Sequence, residues 1–176
     1  MTYASRLLLG LMAIESGSVQ TVRVDRKNIE EFLRLVQEFA DFERLEGPNE
    51  AARLRLKRDL IADPPMAEAF LAVLDGKAIG FATVYFTYST FLAKPTLFLE
   101  DIFVLEEHRK RGIGSKLFSF CVQEAKRRGC GRMEWTALDW NVGAHSFYER
   151  MGGKKIPWVT FRLTENDFGE AVERSQ

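Results

Sequence analysis

The run Arg109-Lys110-Arg111-Gly112-Ile113-Gly114 constrains the fold more than any other segment, because it joins an apolar stretch ending at Val104 to an amphipathic stretch starting at Gly112. A strand has to run into a glycine bend and leave as a helix. Glycine lets the main chain approach an anion with no Cβ in the way, and the free N–H groups and positive dipole end of the helix then point at it. The segment predicts a diphosphate resting on the amides of Arg109, Lys110, Arg111, Gly112, Ile113, Gly114 and Ser115, with Arg109 and Lys110 adding charge. A basic turn that merely caps a helix is the alternative, and six residues alone do not separate the two. No Lys-Ser or Lys-Thr pair follows the last glycine, as a nucleoside triphosphate loop requires, and the three-glycine dinucleotide spacing is absent.

With 176 residues, 46% of them hydrophobic, the chain is long enough for one domain with a sizeable core, expected over residues 19–176. Lys+Arg and Asp+Glu balance at 25 each, which argues for no nucleic-acid partner. The basic runs from Arg53 to Arg58 and from Lys126 to Arg128 read as solvated helix faces. Cys121 and Cys130 form no disulfide framework and read as small buried hydrophobes. With His108 and His145 as the only histidines and no ligand spacing, no metal is expected. The expected compartment is the cytoplasm. Residues 1–18 read as an N-terminal extension in which Arg6 precedes the apolar run Leu7 to Ile14; that run is too short to span a bilayer, no membrane partner is expected, and Met12 is a second possible start.

Val22 and Val24 alternate with Arg23 in a short strand, after which Asn28 and Glu31 have the spacing of a capping box. Ile29, Phe32, Leu33, Val36, Phe39 and Ala40 repeat at helical spacing as far as Gly47-Pro48, and a second helix carrying Leu54 and Ile61 stops before Asp63-Pro64-Pro65. Ala69 to Leu74 and Ala78 to Tyr88 flank Asp75-Gly76, a hairpin dipeptide, and Thr96 to Val104 makes a third antiparallel neighbour. A helix from Gly112 to about Arg128 buries Ile113, Leu117, Cys121 and Ala125. A strand from Met133 to Leu138, a helix from Asn141 to Gly152-Gly153 and a strand from Trp158 to Leu163 complete the chain. The fold class is α/β (α+β), a mixed, mostly antiparallel sheet flanked by helices in the order β-α-α-β-β-β-α-β-α-β.

These residues resemble the GNAT superfamily of acetyl-coenzyme A dependent N-acetyltransferases, whose coenzyme loop reads Arg/Gln-x-x-Gly-x-Gly/Ala; Arg109, Gly112 and Gly114 match it. Tyr85-Phe86-Thr87-Tyr88, Leu99-Glu100-Asp101-Ile102-Phe103-Val104 and Trp140-Asn141 with Phe147-Tyr148 are most similar to the spermidine/spermine and thialysine N-acetyltransferase branch, and the likeness runs from Gln20 to Leu163. The connection from Gly153 to Trp158 is shorter than in the polyamine enzymes, and the extension has no counterpart there.

The resemblance implies a transfer of acetyl from acetyl-coenzyme A to a primary amine of a small molecule, such as a polyamine or thialysine. An alkylammonium with a pKa of about 10.4 needs about 4 to 5 kcal/mol to become the free amine at neutral pH, which a base offsets by taking the proton. The resemblance makes Glu100 that base, Asp101 and Tyr85 its companions in holding the cationic substrate, and Tyr148 the acid for the coenzyme sulfur. Ile102, Phe103 and Val104 would lie along the pantetheine arm, with an amide near Phe103 or Val104 polarising the thioester carbonyl. Asn141 would cap its helix and bind coenzyme. On strict alternation Glu100 shares a face with Ile102 and Val104, and Asp101 shares the other with Leu99 and Phe103, so an acid stands among apolar neighbours either way. A homodimer is expected from the same likeness. The alternatives are a protein N-terminal or lysine acetyltransferase, and a coenzyme A binding module without turnover.

Overall fold

Asp75 and Gly76 both have positive φ, 50° and 76°, as a two-residue hairpin turn requires, and they join β2 (Glu68–Leu74) to β3 (Lys77–Ser89). The computed structural model describes residues 17–174, so the expected extension over 1–18 falls almost wholly outside the described residues. The chain forms two compact units, one up to Thr136 and one from Ala137 onward.

In the first unit β1 (Gln20–Arg23), β2, β3, β4 (Lys94–Val104) and β5 (Arg132–Trp135) make a five-stranded sheet in that spatial order, antiparallel throughout except for β5 on β4. Helix α1 (Ile29–Glu43) lays Ile29, Phe32, Leu33 and Leu35 onto one face, in a core with Phe81 and Phe103. The rings of Phe32 and Phe39 stand edge-on to Phe81 at centroid distances of 5.2 and 6.0 Å. Helix α2 (Glu50–Ile61) contributes Leu60, with Leu56 against the same core, while Leu54 is exposed. The opposite face is covered by α3 (Ile113–Arg127), which buries Ile113, Leu117, Phe118, Cys121 and Ala125 at the expected helical spacing.

Two polar features fix this layering. Glu68, 7% exposed, receives a two-pronged hydrogen bond from Arg128 at 2.7 and 2.6 Å, which ties β2 to the far end of α3. At Gly80 a Cβ would lie 2.6 Å from the Phe103 carbonyl oxygen, so β3 and β4 approach there only because the residue is glycine.

Three expectations are corrected. Asn28 stands before α1 but caps nothing with its side chain: its Oδ1 accepts from the Asp25 amide and its Nδ2 donates to the Arg23 carbonyl, while Glu31 is engaged by Arg34. The expected capping box is therefore absent. Cys130, expected as a small buried hydrophobe, is only half-buried, just before β5, whereas Cys121 is fully buried as expected and its thiol is pushed up to about 12, chiefly by burial. Trp158 to Leu163 has the residue types of a strand but no strand neighbour among the described residues. The second unit holds α4 (Val142–Arg150) and α5 (Phe168–Glu173), the latter preceded by a short 3-10 turn.

Candidate active site

Strand β4 carries a register shift opposite Thr83 and Val84: Asp101 pairs with Thr83, Leu99 pairs with Val84, and Glu100 between them has no partner. That is a β-bulge, two residues facing one. Side chains paired across an antiparallel ladder share a face, and Thr83 and Val84, being adjacent, point to opposite faces. Asp101 therefore lies with Thr83, Phe81 and Phe103 on the α1 side, and Leu99 lies on the other. Phe98 pairs with Tyr85 and its ring is 5.0 Å from it, on the α1 side again, and the Tyr85 hydroxyl donates to Glu100.

Glu100 and Asp101 thus share one face, which corrects the alternation that separated them. Glu100 is exposed rather than set among apolar neighbours. The reason is the extra residue in the bulge, which breaks the period of two.

The electrostatics follow from that crowding. The Asp101 carboxyl is pushed up to about 7, first by burial, then by the charges of Glu100 and of Glu43 in the last turn of α1, with the Thr83 hydroxyl pulling the other way. Burial also raises Glu43, and burial with the nearby Glu100 charge raises Tyr85. Thr83 is 8% exposed, and its Oγ1 lies near the carboxyl of Asp101 without a well-formed hydrogen bond.

Beyond the bulge the sheet opens. β5 pairs with β4 only from Thr96 to Leu99, so among the described residues the outer edge from Glu100 to Val104 has no strand beside it. The Leu105 amide donates to the Ile79 carbonyl, and in an antiparallel ladder alternate residues bond to the same neighbour. Phe103 accordingly faces β3, while the main-chain groups of Ile102 and Val104 face the open edge. Val104 confirms this direction, since its carbonyl accepts from Arg109 Nε at 2.8 Å.

The glycine bend follows at the end of that edge. Lys110 and Gly112 both have left-handed backbones, at φ 61° and 79°, and a Cβ on Gly112 would meet nothing within 4 Å. No side chain caps α3, and the first helical bond runs from the Lys116 amide to the Gly112 carbonyl. The amides of Ile113, Gly114 and Ser115 at an uncapped helix start, behind a left-handed nest, fit a diphosphate. Arg109 is less free than expected: besides its bond to Val104, its guanidinium lies over the rings of Phe42 and Phe103, at 4.4 and 5.5 Å. Lys110 and Arg111 carry the loop's remaining charge.

Among the residues expected at the site, Tyr85, Glu100, Asp101, Ile102, Phe103, Val104 and the bend all belong to the first unit. Asn141 and Tyr148 belong to the second. Asn141 caps α4, its side-chain oxygen accepting from the Ala144 amide at 3.0 Å, and the half-buried Tyr148 stacks edge-on to Phe147 at 5.2 Å. Thr83 is the site group to which sequence reading gave no role; Glu43 reads in the sequence, with Asp41 and Glu46, as one of several acids suited to a small polyamine, with no link to Asp101.

Residues 30–153 match the Acetyltransferase (GNAT) family. The chain belongs to that family. This acetyltransferase is 38% identical over 121 residues to the L-ornithine N5-acetyltransferase NATA1 of Arabidopsis thaliana, a match covering 67% of this chain and 53% of the plant protein, about half its length. It is 30% identical over 152 residues to the thialysine N-epsilon-acetyltransferase of Bos taurus, covering 80% of this chain and 86% of that one. The acetyltransferase also shares its fold with an aminoglycoside N-acetyltransferase solved in complex with CoA, at a TM-score of 0.74 and 23% identity over 88% of this chain and 99% of the other. The expected superfamily, its fold class and its assignment as an N-acetyltransferase thus hold. Among the described residues no helix is long and apolar enough to cross a membrane.

Proposed function

We propose that the chain transfers acetyl from acetyl-coenzyme A to a primary amine of a small cationic molecule, a polyamine, thialysine or a similar amine. The observation that carries this reading is the pair Glu100–Asp101 on one face of a bulge, directly before a strand edge with no neighbour. Bound there, acetyl-coenzyme A supplies an acyl group activated as a thioester. The bend from Lys110 to Ser115 holds its diphosphate on main-chain amides, the Arg109 amide being engaged by the Glu106 carbonyl, and Ile102 and Val104 pair with the pantetheine arm along the open edge, beside Phe103. The Val104 amide, facing away from β3, polarises the thioester carbonyl.

The acidic pair and Tyr85 receive the ammonium group, and one carboxylate removes its proton; the family resemblance gives that proton to Glu100. Tyr148 delivers a proton to the departing sulfur, since a phenol gives one without carrying charge beforehand, and Asn141 holds the start of its helix for coenzyme contact. The protein works in the cytoplasm as a homodimer, without nucleic-acid or membrane partners. Ile156, Trp158 and Phe161, 56%, 79% and 91% exposed in a stretch with no strand neighbour among the described residues, support a second copy covering them.

A panel of amines, with free thiol followed as acetyl-coenzyme A is consumed, tests the reaction. Turnover with small di- and polyamines or lysine-like amines is expected, and coenzyme binding without turnover on any amine would leave only a non-catalytic module. Tyr148→Phe is expected to lower turnover by about 100-fold or more while leaving coenzyme affinity in place. Light scattering showing only monomers would remove the dimer.

A further inference from the structure

We infer that Asp101, and not its neighbour Glu100, takes the proton from the ammonium group of the substrate, and that Glu43 and Thr83 position and tune it for that step. The inference rests on the proposed amine acetylation and reverses the roles that resemblance gives to the acidic pair.

The geometry distinguishes the two carboxylates. Glu100 is the unpaired residue of the bulge, exposed, and already accepts the Tyr85 hydroxyl. An exposed carboxylate so placed, already bonded to a phenol, serves as an anchor for a cation. Asp101 is pinned in register against Thr83 and half-buried on the α1 side, two residues from Phe103, whose ring touches Phe39 and Phe42. The groups that act on Asp101 are Glu100 on its own strand, Glu43 on α1 and Thr83 on β3. Arg109 is committed to the Val104 carbonyl and to the faces of Phe42 and Phe103. Burial first, then the two neighbouring carboxylates, set the basicity of Asp101.

Thr83 supplies an independent sign. Its hydroxyl oxygen is fully buried, without a well-formed hydrogen bond, and lies beside the Asp101 carboxyl. Such a hydroxyl can donate when Asp101 is ionised and accept when Asp101 carries a proton, so it suits a group that changes state during turnover.

The proposed step is balanced. An N–H bond of the ammonium breaks, its electron pair stays on nitrogen, and an O–H bond forms on Asp101. The neutral amine then forms the N–C bond to the acetyl carbon as the C–S bond breaks. The nitrogen sheds its second proton to solvent, the departing thiolate takes up one proton, and Asp101 returns its own proton to solvent. A carboxyl that titrates near neutrality is matched to this task, whereas an ordinary carboxylate accepts an ammonium proton less readily.

The test is the pH profile of kcat/KM for thiol release in the wild type and in Asp101→Asn, Glu100→Gln and Glu43→Gln, together with a carbon-13 titration of the side-chain carboxyls. The wild-type profile is expected to rise through an acid limb near pH 7, with the Asp101 carboxyl carbon titrating at the same point. Glu100→Gln and Glu43→Gln are each expected to move both to lower pH, by roughly half a unit to one unit, because each removes a like charge beside Asp101. Asp101→Asn is expected to abolish the limb and to lower kcat/KM by about 100-fold or more.

Thiol release that keeps its limb in Asp101→Asn and loses it in Glu100→Gln overturns this inference while the amine reading stands. Thiol release absent with every amine overturns both. Should Asp101→Asn not fold, an unmoved limb in Glu43→Gln or an Asp101 carbon titrating in the ordinary carboxylate range overturns the inference on its own.

Discussion

Between Thr96 and Leu99 strand β4 has a neighbour on each edge; between Glu100 and Val104 it has one. The first half holds Thr96, Leu97 and Leu99 at 1% exposure or less, and the second holds the acids and the outward amides. One inserted residue divides them. It turns a strand buried for stability into one whose polar groups face a cleft, and it brings two carboxyls to one side where burial, and then repulsion, raises the proton affinity of the deeper one.

If the halves differ as described, their substitutions should fail differently. Leu99→Ala should cost about 4 kcal/mol of folding stability in denaturant titrations, within the range for emptied core sites, while the surviving folded protein keeps its acid limb. A changed limb with unchanged stability would erase the distinction. Val104→Pro removes an amide that faces the open edge and no ladder bond, so it should lower thiol release by roughly 100-fold, about 3 kcal/mol, with most of the stability retained. Phe103→Pro, whose amide faces β3, should instead prevent folding; equal outcomes for the two prolines would refute the assigned directions.

Asp101 provides a third way to sharpen the comparison. Its folded pKa of about 7 lies above the 3.8 of a free aspartate, so between those values the native state holds the proton and the unfolded state has released it. Stability contributed by this group is present below about pH 4 and lost as pH rises to 7. Asp101→Asn should therefore stabilise the protein by on the order of 2 kcal/mol at pH 7.5, discounting for relaxation, and by little at pH 4. Thermal melts at the two values check the sign. The smallest effect belongs to Thr83→Val: losing the hydroxyl that favours the charged form should raise the acid limb by under about one unit.

The bend, the helices packed on the sheet and the hairpin at Asp75-Gly76 were legible because glycine placement and periodicity are local signals. The bulge was not. No residue type marks an unpaired position in a strand, so alternation was carried straight through Glu100 and the two acids were assigned to opposite faces. The link from Glu43 to Asp101 was hidden for a related reason: it depends on how the end of α1 docks on β4, 58 positions further along the chain. At Trp158 to Leu163 the residue types suit a strand, but a strand also needs a neighbour, and residue types do not name one. At Asn28 the side chain reached backward to Arg23 and Asp25 instead of forward into the helix.

Arg109 shows how a basic residue at a phosphate-type bend can act as a strut. Its Nε donates to the end of β4 and its flat head rests on two rings, so the guanidinium's shape fixes where the bend begins. Lysine at this position would preserve the charge and abandon the brace. In a redesigned or diverged copy of this chain, the arginine-to-lysine exchange that substitution scales count as mild would set the mouth of the cleft adrift.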